Sequence, residues 1–272
     1  MKDLNIGILQ LPVGQDKQEN LRRAVCAVRE AAHAGAALCV LPEMWSCPYD
    51  TALFRAYAEP EDGPLLDAMR DAAVREGVYL IAGSVPELDG DRVYNTAFVF
   101  APDGRRIARH RKAHLFDVDV PGGVRFRESE TLTAGDAATV FDTPWGKMGL
   151  CICFDLRFPE LSRTMALSGA QVIFAPAAFN MTTGPAHWEL TLRARALDNQ
   201  VFTVGAAPAR DDAASYVSYA HSLVCDPWGR VLCDLGEGAA VRVVTLELSR
   251  VGEVRRALPL LAARRTALYR MD

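Results

Sequence analysis

The chain has no apolar run of the roughly 20 residues that a membrane-spanning helix needs. Its first residues, MKDLNIGILQLPVGQ, lack the longer apolar core and small-residue cleavage site of a signal peptide, and their alternation reads as a first strand. No G-x-x-x-x-G-K-[ST] phosphate loop and no G-x-G-x-x-G dinucleotide fingerprint occurs. Charge of one sign is scarce as well. With 30 Lys and Arg against 34 Asp and Glu, the formal net charge is -4, which offers no attraction to nucleic acid or to an acidic membrane surface. The densest basic stretch, RRIARHRK at 105–112, reads for its arginines as a solvated strand face. No second Cys or His pair stands at finger-like spacing from the C-x-C at 151–153, so a zinc site is not indicated. His110 and His114 are four apart, but RHRKAHLF reads as extended, so they do not form a helical pair. The seven cysteines (26, 39, 47, 151, 153, 225 and 233) are odd in number and irregular in spacing, which argues against a disulfide framework. The expectation is a cytoplasmic protein without nucleic-acid or membrane partner, metal or cofactor.

What is present is a chain of 272 residues, half of them hydrophobic, enough for one large domain or two small ones. It repeats itself. NIGILQL (5–11) resembles KMGLCIC (147–153), and AHAGAALCVLPEMW (32–45) resembles ALSGAQVIFAPAAF (166–179). VYLIAGSVPE (78–87) resembles VFTVGAAPAR (201–210), and YNTAFVFAPDGR (94–105) resembles YAHSLVCDPWGR (219–230). The matches keep the same order in both halves, which predicts two halves of similar topology. Each half reads strand, helix, strand, helix, strand, strand. The helices are expected in 16–35, 63–77, 157–169 and 185–199, where apolar residues recur at i, i+3, i+4 and i+7. PDGR and PWGR are turns between strands. Two α/β halves with helices on one side bury their sheets against each other. The expected fold is a four-layer α-β-β-α sandwich, in one domain spanning 1–272 because no Pro/Gly/Ser-rich linker divides it.

In α/β folds chemistry gathers at the carboxyl ends of strands. Three polar groups stand there after apolar runs: Glu43 in ALCVLPEMW, Lys112 in RIARHRKAHLFD and Cys153 in MGLCICFD. A thiol, a carboxylate and an ammonium can serve as nucleophile, general base and oxyanion partner. Each alone has a plainer reading: a helix cap for Glu43, a solvated strand residue for Lys112, an inert buried thiol for Cys153.

Taken together, L-P-E-M at 41–44, R-K-x-H-L-F-D at 111–117 and C-x-C-F-D-x-R-F-P-E at 151–160 resemble the three signatures of the nitrilase (carbon–nitrogen hydrolase) superfamily, in family order. The resemblance spans the chain. It implies the four-layer fold, a homodimer or larger assembly, and hydrolysis of non-peptide C–N bonds without a metal. By position it implies Cys153 as nucleophile, Glu43 as general base, Lys112 as oxyanion partner with the backbone N–H of Phe154, and Glu128 as the second glutamate, with Glu130 its neighbouring competitor. Lys112 beside Cys153 is expected to favour the thiolate.

AFNMTTGPAHWELTLRARALDNQVF (178–202) and PARDDAASYVSYAHSLVCDPWGRV (208–231) resemble the ω-amidase branch more narrowly. That branch releases ammonia from 2-oxoglutaramate and 2-oxosuccinamate. Such substrates carry a far carboxylate, for which Arg157 is the candidate partner, a structural ion pair being the alternative. Tyr49 and Thr183 are candidates for the pocket wall. Arg193 and Arg195 are expected to be solvated or at an interface, and His187 and Trp188 to pack and cap near the site. Rival readings are a deaminated-glutathione or N-carbamoyl amine amidase of the same superfamily, a nitrilase acting on nitriles, a protease-like dyad of Cys153 with His187 or His221, and a catalytically silent binding protein. Cys151 stands where the family pattern has a small residue. In a regular strand it shares a face with Cys153, so it is either core or an oxidation trap beside the nucleophile.

Overall fold

A computed structural model describes residues 3–123 and 125–269. The first half contains β1 (Leu4–Gln10), α1 (Lys17–His33), β2 (Leu38–Val40), α2 (Thr51–Tyr57), α3 (Pro64–Glu76), β3 (Tyr79–Asp89), β4 (Arg92–Phe100) and β5 (Arg106–Arg111). A small hairpin, β6 (Asp117–Asp119) with β7 (Arg125–Arg127), connects to the second half. There follow β8 (Thr139–Thr143), β9 (Gly146–Leu150), α4 (Pro159–Leu167), β10 (Val172–Pro176), α5 (Gly184–Asn199), β11 (Phe202–Ala206), β12 (Leu223–Cys225), β13 (Val231–Asp234), β14 (Ala240–Leu246) and α6 (Ser249–Ala257). Among the described residues no helix is long and apolar enough to cross a membrane.

The helices form where the pattern and the end signals agree. Asp16 caps α1 by accepting from the N–H groups of Gln18 and Glu19, and the helix buries Ala24, Ala27, Val28 and Ala31 at helical spacing. α3 starts on Pro64 and stops at Gly77, whose left-handed conformation suits only a residue without Cβ strain.

Two six-stranded sheets result, in the orders β14-β1-β2-β3-β4-β5 and β13-β12-β11-β10-β9-β8. The three central strands of each, β1-β2-β3 and β9-β10-β11, run parallel. The four sequence matches fall on corresponding strands: β1 with β9, β2 with β10, β3 with β11, and β4 with β12. One departure is topological. The strand beside β1 is β14, from the far end of the chain, paired antiparallel from Leu4 opposite Leu246 to Gln10 opposite Ala240. A strand's partner across that separation leaves no local trace in the sequence. α2, α6 and the β6–β7 hairpin are likewise additions to the predicted element order.

Alternation along the strands builds the layers. Leu4, Ile6 and Ile8 join Leu38, Val40, Leu150, Val172 and Phe174 in one core between the sheets. Leu9, Leu11, Cys39, Leu80 and Phe98 pack on the other face of the first sheet with α1 and α3. Gly7 and Gly149, matched in the repeat, let the first helix of each half come close: an added Cβ would lie 2.7 Å from Cβ of Ala31 in α1, and 3.0 Å from Sδ of Met165 in α4.

A third glycine shapes the site. Gly83 takes a left-handed φ of 58° at an irregularity in β3. There the 41–45 segment crosses it, held by Trp45 Nε1 donating to the Ala82 carbonyl at 2.7 Å and Ser84 N–H donating to that of Pro42 at 3.1 Å. A Cβ on Gly83 would stand 2.2 Å from the Pro42 oxygen. Gly83→Ala is expected to cost about 2 kcal/mol or more, from left-handed strain alone. It should displace Glu43 and lower activity with stability. An unchanged unfolding midpoint would contradict this account.

Candidate active site

Glu43 lies three residues beyond β2, Lys112 directly after β5, and Cys153 three residues beyond β9. β2 and β5 belong to one sheet and β9 to the other, so the groups meet at one end of the sandwich, where its two sheets adjoin.

Lys112 is fully buried. Its Nζ donates to Glu43 Oε1 and to Glu128 Oε1, both at 2.9 Å, and lies 3.3 Å from the Tyr49 hydroxyl. Glu128 is buried in the turn after β7, and its Oε2 accepts the Phe116 N–H at 2.7 Å. Its competitor Glu130 is exposed. Tyr49 donates to Glu128 Oε1 at 2.5 Å and lies 3.0 Å from Glu43 Oε1. Asn95 Nδ2 donates to the same Glu43 oxygen at 2.8 Å, whereas Glu43 Oε2 has no hydrogen-bond partner.

Cys153 opens a short 3-10 turn, Cys153–Arg157, with φ of 47°, a conformation uncommon for a side chain with a Cβ. N–H groups in the first turn of such a segment have no partner within it, which leaves the Phe154 N–H to serve a ligand. The thiol is 5 % exposed. Burial pushes its pKa well up, the Glu43 carboxylate adds to the rise, and Lys112 and the Ala178 N–H oppose it. Lys112, expected to favour the thiolate, pulls in that direction, but its ammonium is shared by two carboxylates and burial works against it. Burial also raises the Glu43 carboxyl; Lys112 opposes this and Glu128 reinforces it.

A small cavity of about 180 Å³ opens on Cys153, lined also by Phe116, Phe154, Arg157, Phe179 and Thr183. A second of about 510 Å³ reaches Glu43 and Tyr49, walled by Pro208, Asp211, Ser215 and Tyr216. Tyr216 and Ala178 line both. Tyr216 donates to the Ala178 carbonyl at 2.5 Å and stacks on Tyr49 at 4.6 Å. Arg157 is half-buried, with its guanidinium 4.6 Å from the Phe179 ring and Nη1 donating to His187 Nδ1 at 2.9 Å. Among the described residues no carboxylate is its partner.

The sequence model of the family described as Carbon-nitrogen hydrolase matches residues 5–256. The chain belongs to the carbon–nitrogen hydrolase family. Omega-amidase NIT2 of Mus musculus is 47% identical to it over 272 residues, 100% of this chain and 99% of that protein. Omega-amidase NIT2 of Homo sapiens is 44% identical over the same span and to the same shares. The crystal structure of Saccharomyces cerevisiae Nit3, a member of branch 10 of the nitrilase superfamily, superposes with a TM-score of 0.89 at 38% identity, covering 97% of each chain.

In this carbon–nitrogen hydrolase the structure brings Glu43, Lys112, Glu128 and Cys153 together, with Arg157 and Thr183 in the thiol's cavity. Tyr49 is more than a wall: its hydroxyl joins both carboxylates. Among the described residues Arg157 makes no structural ion pair of the kind considered for it. Arg195, expected to be solvated or at an interface, instead donates to the carbonyls of Leu156 and Arg157 at 2.8 and 3.2 Å and steadies the turn carrying the thiol. Arg193 remains largely exposed. In the basic stretch Arg105, Arg106 and Arg109 are exposed, but Arg111 is half-buried against Glu87. His187 pairs with Arg157 and His221 with Asp234, so neither forms a dyad with Cys153. Sequence reasoning passed over Asn95, Tyr216 and Asp155. Asp155 left a signal as the acid of C-x-C-F-D, and Tyr216 as the last residue of the PARDDAASY block.

Cys151 is buried, its Sγ 3.7 Å from the Phe174 carbonyl, with Asp155 and Arg195 as its charged neighbours. The strand ends at Leu150 and the left-handed turn at Cys153 breaks the alternation, so the two thiols do not share a face. Cys151→Ala is expected to lower stability by about 1–2 kcal/mol, as for other small core truncations, while leaving kcat/KM within a few-fold. Loss of activity in a folded Cys151→Ala protein would return that cysteine to the site.

Proposed function

We propose that this carbon–nitrogen hydrolase is an ω-amidase, releasing ammonia from the ω-amide of 2-oxoglutaramate and 2-oxosuccinamate. The observation that carries the substrate class is Arg157, a half-buried cation beside the thiol with no carboxylate partner among the described residues. A bidentate guanidinium suits the far carboxylate of such a substrate. The full-length identity to relatives named Omega-amidase NIT2 supports the same class. The resemblance of the 178–184 and 208–216 segments to the ω-amidase branch favours this reading over deaminated-glutathione and N-carbamoyl amine amidases, and residues of the second segment wall the Glu43 cavity.

The chemistry follows from charge. Glu43, Glu128 and Lys112 together hold one net negative charge out of water. Moving the Cys153 proton to Glu43 Oε2 keeps that charge constant, which a free thiolate beside two carboxylates would not. The thiolate sulfur attacks the amide carbonyl carbon. The oxyanion meets the Phe154 N–H and Lys112, whose bond to Glu43 slackens once that carboxylate is protonated. Glu43 then gives its proton to the leaving nitrogen, and ammonia departs from a thioester. Water attacks the thioester with Glu43 as base, releasing the acid and restoring the thiol. Glu128 holds Lys112 throughout.

The reading includes a cytoplasmic homodimer. Exposed Leu167 on α4 and Leu190 and Leu197 on α5 support a second copy on that side.

Cys153→Ala and Glu43→Gln are expected to stay folded and to release no ammonia from 2-oxoglutaramate; turnover by either would end the scheme. Arg157→Lys is expected to raise KM for 2-oxoglutaramate by about tenfold or more, with far less effect on a neutral amide of similar length. Equal losses on both amides would remove Arg157 from the carboxylate.

A further inference from the structure

Asp155 stands two residues past the thiol, fully buried and outside the lysine cluster. Its Oδ1 accepts from the His114 N–H at 2.9 Å and lies 2.7 Å from His114 Nδ1. Its Oδ2 accepts from the Ile152 N–H at 3.0 Å and lies 2.9 Å from His110 Nε2. His110 and His114 flank Lys112 by two residues on either side. His110 is itself buried, with Nδ1 2.9 Å from Thr139 Oγ1, and the His114 ring stacks on Phe158 at 3.6 Å. One carboxylate thus holds the strand end bearing the ammonium and the turn bearing the thiol.

We propose that Asp155, His110 and His114 are positioning residues that set the separation of Lys112 and Cys153, and through Lys112 that of Glu43 and the thiol. The inference rests on the reading of Cys153 and Lys112 above. The two groups come from different sheets, and no strand ladder joins those sheets. What lies between them is mainly apolar packing, which is non-directional and does not define a distance finely. Hydrogen bonds to a buried carboxylate are short and directional, and four of them converge here. Burial by itself would raise the Asp155 carboxyl, but the bonds from His110 and His114 outweigh it and hold the group well below the usual carboxylate range. The acceptor therefore stays an anion wherever the enzyme works. Neither histidine is bonded to the thiol or its carboxylate neighbours, so neither has a proton to exchange with the reacting atoms.

The test compares variants that keep an N–H donor with variants that remove it. His114→Asn and His110→Gln can place an amide N–H where the ring nitrogen was; His114→Leu and His110→Leu cannot. Ammonia release from 2-oxoglutaramate, iodoacetamide alkylation of Cys153 followed by peptide mass, and the thermal midpoint are read on each. The Leu variants are expected to lose kcat on the order of 100-fold, the effect of a displacement of about 1 Å. Their KM should stay within a few-fold, and Cys153 alkylation should slow. The donor-keeping variants should recover most of kcat and of the alkylation rate at a similar midpoint. Full kcat in both Leu variants, or equal losses in Leu and donor-keeping variants, overturns the proposal. Should a Leu variant not fold, Asp155→Glu replaces it. That change keeps the charge and lengthens the arm, and unaltered kcat there overturns the proposal equally. Cys153→Ala, assayed alongside, separates the failures: ammonia release by it ends the functional reading, whereas its silence beside fully active Leu variants ends only the positioning role.

Discussion

A lysine ammonium with no access to water is the constraint on which the rest of this structure depends. Taking an ion out of water costs several kcal/mol, and removing one partner of a buried pair costs about 3–5 kcal/mol. Lys112 is therefore stabilised by Glu43 and Glu128 together, and each carboxylate by Lys112. Three segments distant in sequence must end within hydrogen-bond distance of one atom. Tyr49 and Asn95 add further hydrogen bonds to the carboxylates, while Glu43 Oε2 and Asn95 Oδ1 are left without a partner among the described residues. Of these, Glu43 Oε2 belongs to the group that takes and returns a proton in the proposed scheme.

The twin-sheet architecture supplies the convergence. Corresponding loops follow β2 and β10, and the repeat aligns Glu43 and Met44 with Ala177 and Ala178. The first loop brings an acid to the thiol and the second brings the Ala178 N–H, so duplicated backbone surrounds one sulfur with unlike groups. Tight places are bought with glycine: Gly7 and Gly149 under the helices, and Gly83 under the acid's loop. Left-handed backbone at Met44 and Cys153 turns each segment at the residue that matters. Such conformations persist only where surrounding contacts over-determine them.

Electrostatics then separates binding from chemistry. In the proposed scheme the cluster keeps its one excess negative charge through each step, because protons move between the thiol, Glu43 and the leaving group rather than in from solvent. Arg157 stands apart from it, half-buried against Phe179 and, among the described residues, without a carboxylate partner. In that reading one cation is held within the protein and the other is left for the substrate.

Much of this was legible in the sequence. Hydrophobic period, caps and internal repeats determined the helices, the strands and the doubled topology, because these depend on neighbours a few residues apart. The family resemblance carried by L-P-E-M, R-K-x-H-L-F-D and C-x-C-F-D pointed to Glu43, Lys112 and Cys153 and, by position, to Glu128. What no local pattern encodes was decided by tertiary structure. β14 joins the first sheet because its partner lies at the other end of the chain. The thiol's pKa is pushed up because it is buried beside Glu43 while Lys112 is shared by two carboxylates, a matter of three-dimensional distance and burial. Cys151 turns from Cys153 because the strand breaks between them. His110 and His114 looked like an unusable pair along the strand, and only folding placed Asp155 between them. Side-chain identity follows from the chain, but pKa, partner and reach follow from what the fold excludes and brings near.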